Sequence, residues 1–522
     1  MKKTKILAVL MAGVLATSML ATGCSSTPST SSGGSGDGQQ QEETVNLKYY
    51  IMNGAVNDQE RIMEKANAII EEEINANLEL VMTDSNNYGS KINLMINSGD
   101  PWDLCFMSDW GGMRYYENAT EGAFADLTEK LPEMAPQSYK NVPEKIWNNM
   151  KVNDKIYGVF NYQQYGYSAR KGFQVNANLA DEQSFDWKSL AGKDPITVLK
   201  ALDPFIAQAL KDHPDMIGME TSASGSLFND PLLWDMEAIG DIKTAGWIHY
   251  DDPTKVINQY ATDEFKQYCE VMRDYYNKGY VKKDGATISD TTNDRKAGKF
   301  VAAVSYDWPD SIEAPQIKRH MSMCTVEDFP AYVFSTTRTM LPAGVNAATC
   351  ISADTPNVDK SLELIELLNT NDELFKLIGY GEEGVDYTWD ENGGIKQIEG
   401  KYNFNWNEYQ MGQSYSADFT RALYDKNENG DMVKEGQKLI HDIDANEATP
   451  SPITGFVFNT DPVKTEIAAC SAIVTEMLPA FSAGSVDPAE KLPEFLDRLE
   501  QAGVNKIIEE KQKQLDEFNA SK

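Results

Sequence analysis

Apolar and polar residues alternate in two short stretches near the start of the chain, residues 47–51 and 78–82, and residues 103–107 form a third short apolar run. Alternation of this kind predicts β-strands. Between the three stretches, apolar residues recur at helical spacing over residues 62–74 and 88–96. The order strand, helix, strand, helix, strand predicts a parallel sheet flanked by helices.

Polar and aromatic residues follow the ends of these predicted strands. Asn53 follows the first strand, and Asp109 and Trp110 follow the third. In open parallel sheets, ligands bind beyond the carboxyl ends of the strands. A tryptophan beside a carboxylate suits a sugar, because sugar C–H faces stack on aromatic rings while the hydroxyls need polar partners. We therefore expect Asn53, Asp109 and Trp110 to contact a ligand; the alternative for Trp110 is packing in the core.

Two later stretches show a similar combination. The apolar run 301–304 predicts a strand and leads into Asp307 and Trp308, again a carboxylate beside an aromatic ring. Residues 161–167, which include Tyr162, follow another predicted strand and are rich in amphipathic side chains. These positions extend the set of expected ligand contacts to Tyr162, Asp307 and Trp308.

The end of the chain has helical periodicity over residues 461–479 and 488–518. We expect the apolar stripe of the second stretch to pack against the rest of the protein. Its members are Leu492, Phe495, Leu496, Leu499 and Ile507.

Length and charge narrow the possible functions. A chain of 522 residues is too long for one core and predicts two or more lobes. Asp and Glu number 80 against 47 Lys and Arg, which gives a formal net charge of -33. A surface this acidic repels phosphate backbones, so we do not expect nucleic acid as a partner.

The first residues indicate export. Three lysines at positions 2, 3 and 5 precede an apolar stretch, residues 6–16, that is too short to span a membrane. The residues up to Cys24 resemble a bacterial lipoprotein signal, with residues 1–23 removed and Cys24 acylated; the alternative is a secretory signal cleaved near Ala21. Residues 24–44 are mostly Ser, Gly, Thr and Gln, a composition typical of a flexible linker.

The other cysteines and the acidic loops raise the question of metals and cofactors. Five cysteines are widely spaced after the linker and form no CxxC pair, so we expect small buried side chains rather than disulfides or a zinc site. Asp425, Asn427 and Asn429 occupy ligand positions one, three and five of a calcium-loop pattern, with Gly430 at position six. The twelfth position lacks the usual Glu. This pattern fits either a loop that binds a structural calcium ion or a hydrated surface turn. We expect no cofactor to be required.

Several motifs together are similar to those of extracellular solute-binding proteins of ABC importers, in the broad carbohydrate-binding family 1. In the body these are SGDPWDL at 98–104, GAFADL at 122–127, DKIYG at 154–158, KAGKF at 296–300 and GVNAA at 344–348. Nearer the end, GEEGVDY at 381–387, SPITGFVF at 451–458, TDPVK at 460–464 and EKQKQL at 510–515 resemble the LipO-like subgroup, which has a characteristic C-terminal region.

The resemblance implies a two-lobed periplasmic-binding-protein-like α/β fold, with a sheet flanked by helices in each lobe and the ligand cleft between lobes. Lobe one would comprise residues 45–159 and 329–378, and lobe two residues 160–328 and 379–522. By position, Asp109 and Trp110 resemble a sugar-contacting loop, and Trp308 resembles a stacking ring of lobe two. Phe228 lies where the family often has another aromatic residue, and Phe456 would line the cleft rim or pack in the core.

The implied function is capture of a small solute, an oligosaccharide, by a monomeric lipoprotein on the extracytoplasmic face of a bacterial membrane. The solute would be delivered to the permease subunits of an ABC transporter. Two alternatives remain: a peptide-binding or adhesive surface lipoprotein, and a glycoside-cleaving enzyme, since two carboxylates can flank a glycosidic bond. The chain has no HExxH, GxSxG or Walker motif, and its four histidines are scattered, so we do not expect an enzyme.

Overall fold

A computed structural model of the chain describes ten segments. They are residues 43–109, 111–162, 171–222, 227–288, 291–306, 331–335, 338–389, 395–404, 410–412 and 445–521. The residues from Thr44 onward group into one unit.

The strands follow one another along the whole body of the chain. They are β1 (Val45–Met52), β2 (Ala76–Thr83), β3 (Leu104–Met107), β4 (Val159–Phe160), β5 (Lys171–Asn176), β6 (Ile217–Met219), β7 (Met236–Ala238), β8 (Trp247–His249), β9 (Asp252–Ile257), β10 (Phe300–Tyr306), β11 (Ala331–Ser335), β12 (Met340–Leu341), β13 (Ala348–Ile351), β14 (Tyr387–Trp389), β15 (Ile395–Gln397) and β16 (Thr449–Pro450).

The helices lie between these strands and at the end of the chain. They are α1 (Gln59–Ile74), α2 (Ser85–Ser98), α3 (Tyr115–Thr120), α4 (Lys130–Met134), α5 (Pro136–Lys140), α6 (Glu144–Met150), α7 (Ala177–Glu182), α8 (Pro195–Asp212), α9 (Asp263–Lys278), α10 (Thr292–Lys296), α11 (Val358–Thr370), α12 (Asp372–Tyr380), α13 (Lys464–Ser482), α14 (Pro488–Gln501) and α15 (Val504–Ser521).

The first lobe is built on a five-stranded sheet in the order β2-β1-β3-β13-β4. Strand β1 pairs in parallel with β2 and with β3, which confirms the parallel arrangement predicted from the alternating pattern. Strand β13 returns antiparallel between β3 and β4. The apolar side of α1, which includes Ile62, Ala66 and Ile70, is buried in the same core as Tyr49 and Ile51 of the sheet.

The second lobe is built on a four-stranded sheet in the order β11-β5-β10-β6. Strand β5 runs antiparallel to both its neighbours, and β10 is parallel to β6. The tail helices α13, α14 and α15 pack into this core, and the predicted apolar stripe is confirmed as packing. Leu492, Phe495, Leu499 and Ile507 are buried there, and Leu496 is partly buried against them.

A third, smaller group of apolar residues is here called the hinge cluster. It joins the antiparallel sheet β7-β8-β9 to α15 and to the two segments 338–345 and 449–458, which connect the lobes. Because its members come from distant parts of the sequence, it fixes those segments to the second lobe. Its buried members are Ile239, Ile248, Val256, Ile453 and Leu515, and the partly buried residues against them are Ala343, Phe456, Phe458, Ile508 and Phe518.

The packing differs from the lobe ranges predicted from the sequence at two places. Strand β11, within the range 329–378 assigned to lobe one, pairs with β5 of the second sheet. Tyr402 and Phe404, within the range 379–522 assigned to lobe two, are fully buried in the first core. The chain therefore returns to the first lobe after α12 before it enters the second lobe for the last time.

A buried carboxylate explains why the segment after α12 packs with the first lobe. The side chain of Asp386 is fully buried and accepts hydrogen bonds from Arg61 Nη2 of α1 at 2.7 and 2.9 Å. It also accepts the backbone N–H of Glu382 at 2.8 Å and that of Tyr402 at 3.3 Å. Gly381 is required beside it, because its φ is +82° and a Cβ there would lie 2.3 Å from the Asp386 carboxylate.

Candidate ligand-binding cleft

Three strands of the first sheet end at the same edge. Strands β1 and β3 are parallel, and β4 points the same way because it and β3 are both antiparallel to β13. The residues at or just beyond their ends, here called the first-lobe edge, are Asn53, Asp109, Asn161 and Tyr162. The structure therefore brings three of the predicted ligand contacts, Asn53, Asp109 and Tyr162, to one edge.

The second sheet has a corresponding edge. Strands β6, β10 and β11 end there, and the antiparallel β5 begins there, so that Lys171 pairs with Tyr306. We call Lys171, Glu220 and Tyr306 the second-lobe edge. From Tyr162 the chain reaches Lys171 in nine residues, and nine residues span at most about 30 Å. The connection therefore keeps the ends of the two edges within about 30 Å of each other.

The carboxylate of Asp109 holds the first-lobe edge in place. It accepts the backbone N–H of Val345 at 2.7 Å and that of Tyr116 at 3.3 Å, and the Asp109 N–H donates to the Val345 carbonyl at 2.8 Å. The residue is exposed, yet protein surrounds it closely enough that desolvation raises the pKa of its carboxyl to about 6. A side chain that is exposed to solvent but partly desolvated is typical of a cleft wall. The two backbone N–H groups that donate to Asp109 show that its carboxylate also stabilises this edge.

A buried polar network lies under the same edge. Gln410 is fully buried, and its side-chain amide makes two 2.6 Å hydrogen bonds with the backbone of Met52, so it pairs with the end of β1 as another strand would. The backbone carbonyl of Gln410 accepts hydrogen bonds from the Tyr49 hydroxyl at 2.6 Å and from Asn161 Nδ2 at 2.8 Å. Thr349 closes the network with a 2.6 Å bond to Tyr49. Satisfied networks of this kind rigidify the surrounding structure.

The second-lobe edge carries charges that are paired with each other. Lys171 is almost fully buried, and its Nζ lies 2.6 Å from the Asp230 carboxylate. Glu220 accepts the Thr291 hydroxyl at 2.6 Å and Arg295 Nε at 2.5 Å. Among the described residues of this edge, each of these two cations is therefore paired with a carboxylate.

The predicted contacts in the described residues differ in their surroundings. Asn53 is partly exposed and its Nδ2 donates to the Gly54 carbonyl at 2.8 Å, so its side chain remains near the cleft. The ligand contact expected for Tyr162 is wrong in this structure, because its side chain is fully buried in the first core beside Phe160 and supports the edge from beneath.

The ligand role expected for Phe228 is wrong in this structure. Its ring is fully buried in the second core, 4.7 Å from the rings of both Trp234 and Phe265. A ring enclosed by other rings has no face left for a sugar. Phe456 packs 5.2 Å from Phe518 in the hinge cluster, which is the core alternative stated for it.

The remaining predicted residues lie outside the described segments and stay predictions. They are Trp110, Asp307 and Trp308 for the ligand, Cys24 for the lipid, and Asp425, Asn427 and Asn429 for calcium. Within the described segments, no group of three or more His, Cys, Asp or Glu side chains is arranged to hold a metal ion. Four cysteines there, Cys105, Cys269, Cys350 and Cys470, are buried free thiols. None of the described helices is long and apolar enough to cross a membrane.

Sequence reasoning missed Lys171, Asp230, Asn161 and Gln410. Asn161 could have been found, because it follows a short apolar strand as Asn53 does, whereas Lys171 begins its strand and was not marked by this signal. Asp230 and Gln410 had no such signal, since their roles depend on partners 59 and 358 residues away.

Comparisons with known proteins agree with this geometry. The family of bacterial extracellular solute-binding proteins matches residues 65–381, and a domain of unknown function (DUF3502) matches residues 452–520. A carbohydrate ABC transporter substrate-binding protein of Streptococcus pneumoniae serotype 4 is 28% identical over 497 residues, 91% of either chain.

Solved structures show the same fold. The N-glycan transport solute binding protein NgtS from Streptococcus pneumoniae superposes with a TM-score of 0.71 at 27% identity, over 91% of this chain and 99% of that chain. Its complex with Man5GlcNAc gives 0.61 at 27% identity, over 92% and 99%. An HMO-binding, ABC-transporter-associated solute binding protein from Bifidobacterium longum infantis gives 0.55 at 15% identity, over 91% and 99%. The predicted two-lobed α/β fold is confirmed.

Proposed function

We propose, because the chain belongs to the bacterial extracellular solute-binding protein family, that it binds a neutral oligosaccharide in its cleft and passes it unaltered to an ABC importer. The observation that carries this proposal is the likeness, along 91% of the chain, to an N-glycan transport solute binding protein. A relative named as a carbohydrate substrate-binding protein has the same extent of match. The ligand class of these proteins is therefore the first to test.

The charges at the second-lobe edge support a neutral ligand. A free carboxylate or guanidinium in the cleft would favour a peptide with charged ends, whereas Lys171 with Asp230 and Glu220 with Arg295 form pairs. Separating a buried pair leaves an uncompensated charge, which costs about 3–5 kcal/mol. A charged ligand would have to compete with that cost, while sugar hydroxyls can bond to the outer oxygens of the pairs.

The cleft itself supports reversible binding rather than turnover. In the described segments, the carboxylates at the two edges already accept hydrogen bonds from protein groups, as Asp109 does from Val345 and Tyr116. Such carboxylates are committed to holding the backbone in place. The sugar should therefore be recovered intact after incubation with the protein.

The same proposal includes anchoring through Cys24 on the extracytoplasmic face of the membrane. The Ser- and Gly-rich linker 24–44 would let the body reach the permease subunits of the importer while the lipid holds it at the surface. Cys24→Ala should release the protein from the membrane fraction and leave its affinity for sugar unchanged. A variant that remains membrane-bound would contradict the anchor.

A thermal-shift screen tests the ligand class. Man1GlcNAc, Man5GlcNAc, malto-oligosaccharides and short peptides are each added to the purified protein, because a ligand that binds only the folded state raises the melting temperature. We expect a rise with neutral oligosaccharides, and at a hundredfold excess over Kd the added stability is about 2.7 kcal/mol. A rise with peptides alone would replace the sugar proposal by the peptide-binding alternative.

A further inference from the structure

Two connecting segments, residues 338–345 and 449–458, join the lobes and are here called the crossing segments. They are bonded to each other, because β12 pairs in parallel with β16 and the Ser451 N–H donates to the Leu341 carbonyl at 3.0 Å. Any movement of one lobe against the other must bend the chain at these segments or beside them.

One carboxylate of the second lobe contacts both crossing segments. Glu237 on β7 accepts the Ala343 backbone N–H at 3.1 Å through Oε1, and the Ser451 hydroxyl donates to its Oε2. A side-chain hydrogen bond from Tyr250 adds a third partner. Glu237 therefore bridges three elements: its own sheet and the two crossing segments.

The hinge cluster reinforces this attachment from the second lobe. Ala343 and Ile453 of the crossing segments pack with Leu515 of α15. Gln512 of the same helix bonds the backbone of β9, accepting from Val256 N and donating to the Thr254 carbonyl, both at 2.8 Å. The region 452–520, which matches a domain of unknown function, thus supplies one wall of the attachment.

We propose that Glu237 is a positioning residue for lobe closure: it fastens both crossing segments to the second lobe, and so sets the affinity of the cleft for its solute. Because Leu341 and Val345 of the first crossing segment are buried in the first core, the bond from Ala343 to Glu237 then limits how far the two lobes can shift against each other. The inference rests on the proposed function only where sugar affinity is the readout, since lobe movement can be measured without a ligand.

Electrostatics give the attachment a pH signature. Desolvation raises the pKa of the Glu237 carboxyl to about 7, so the fastened arrangement binds a proton more readily than one in which Glu237 is in water. Lowering the pH through 7 should therefore favour the fastened arrangement. The titratable groups that interact with Glu237 are Tyr250 and Tyr116, and those that interact with Tyr250 are Asp235 and Arg338. One step further away, Asp109 interacts with Tyr116, and Asp251 pairs with Arg338.

The test measures the distance between lobes in the ligand-free protein by pulsed electron paramagnetic resonance. Nitroxide labels are attached through Leu94→Cys on the first lobe and Ile242→Cys on the second, both of which are exposed positions. For this experiment the protein is produced without residues 1–23 and with the substitutions Cys24→Ser and Cys324→Ser. The other four cysteines are buried and do not react with the label. We expect a narrow distance distribution at pH 6 that broadens at pH 8.

Glu237→Ala should broaden the distribution at both pH values and weaken binding of Man5GlcNAc by about tenfold, as the loss of one hydrogen bond to a charged group does. Glu237→Gln mimics the protonated form and should stay narrow at both pH values. An unchanged distribution in folded Glu237→Ala, or a Glu237→Gln distribution that still varies with pH as the parent's does, would overturn the proposal.

Two further variants keep the outcome decisive. Ser451→Ala removes only one of the donors to Glu237 and serves as the test if Glu237→Ala does not fold. The Ser451→Ala distribution must then be broader than the parent's, and an unchanged distribution would overturn the proposal. Glu476→Gln breaks an exposed ion pair with Arg498 on the same lobe and should leave the distribution as it is. A parent that binds no sugar would refute the proposed function alone, whereas a parent that binds while Glu237→Ala behaves identically would refute this inference alone.

Discussion

The second crossing segment, residues 449–458, is held differently on its two sides. Toward the second lobe it contacts an apolar cluster around Leu515, and the Ser451 hydroxyl donates to the Glu237 carboxylate. Toward the first lobe the Thr454 hydroxyl donates a hydrogen bond to Asn149 Oδ1 at 2.9 Å. The first crossing segment differs from it, because Leu341 and Val345 are buried in the first core. Apolar contact is lost only by exposing area to water, whereas a hydrogen bond can be exchanged for one to water at small net cost. The contrast indicates that the side toward the second lobe, here called the fixed side, resists separation, and that the side toward the first lobe, here called the yielding side, separates more easily.

Removing apolar volume from the fixed side should have the largest effect on stability. Leu515 is fully buried, and Leu515→Ala should lower the free energy of unfolding by about 2–5 kcal/mol, because it creates a cavity in the hinge cluster. Urea unfolding followed by circular dichroism measures the change. Leu94→Ala, at a position 69% exposed, is the matched control and should stay within about 0.5 kcal/mol of the parent.

The fixed side also contains one unfavourable group. Lys511 on α15 is fully buried. Among the described residues, its Nζ makes one long hydrogen bond of 3.3 Å to the Gly246 carbonyl, lies 5.3 Å from the centre of the Phe458 ring and interacts with the charge of Asp241. Lys511→Met keeps the apolar stem and removes the amine. We expect the free energy of unfolding at pH 7 to rise by about 1–4 kcal/mol, as when a buried ionic group is replaced by an apolar one. A fall in stability would show that the amine has a favourable partner.

The pH dependence of stability separates this charge effect from packing. Desolvation lowers the pKa of Lys511 from 10.5 to about 7, so between these values the unfolded chain binds the extra proton. The stability of the parent should therefore rise as the pH increases from 7 toward 10.5, and the full cost of the buried amine is present below 7. Denaturant titrations at pH 7 and 9 should show a smaller rise in Lys511→Met.

The smallest effect is expected on the yielding side. Thr454→Val removes the hydroxyl that donates to Asn149 Oδ1 at 2.9 Å and keeps the side-chain shape. The free energy of unfolding should fall by about 0.5–1.5 kcal/mol, the net value of one hydrogen bond. A loss as large as that of Leu515→Ala, measured in the same urea titration, would remove the distinction between the two sides.

The sequence predicted the elements whose pattern is local. Residues 47–51 and 78–82 alternate because one face of each strand is buried, and this placed Asn53 and Asp109 at one edge of the sheet. It could not place Phe228, because an aromatic residue after a loop suits a cleft wall and a core equally well, and only the rings packed around it decide.

Long-range polar contacts were beyond the sequence as well. Gln410 completes β1 from 358 residues away, and Glu237 contacts residues 106 and 214 positions later. Nothing in the residues beside Gln410 or Glu237 marks these roles. The predicted division into lobes missed the return to the first lobe for the same reason, since it depends on the pairing of Arg61 with Asp386.

Isothermal titration calorimetry of the purified protein with Man5GlcNAc tests the central claim most directly. The account predicts saturable binding to one site, recovery of the sugar with its mass unchanged, and weaker binding in Glu237→Ala. Absence of heat with this glycan and with other neutral oligosaccharides, together with clear binding of charged peptides, would contradict it.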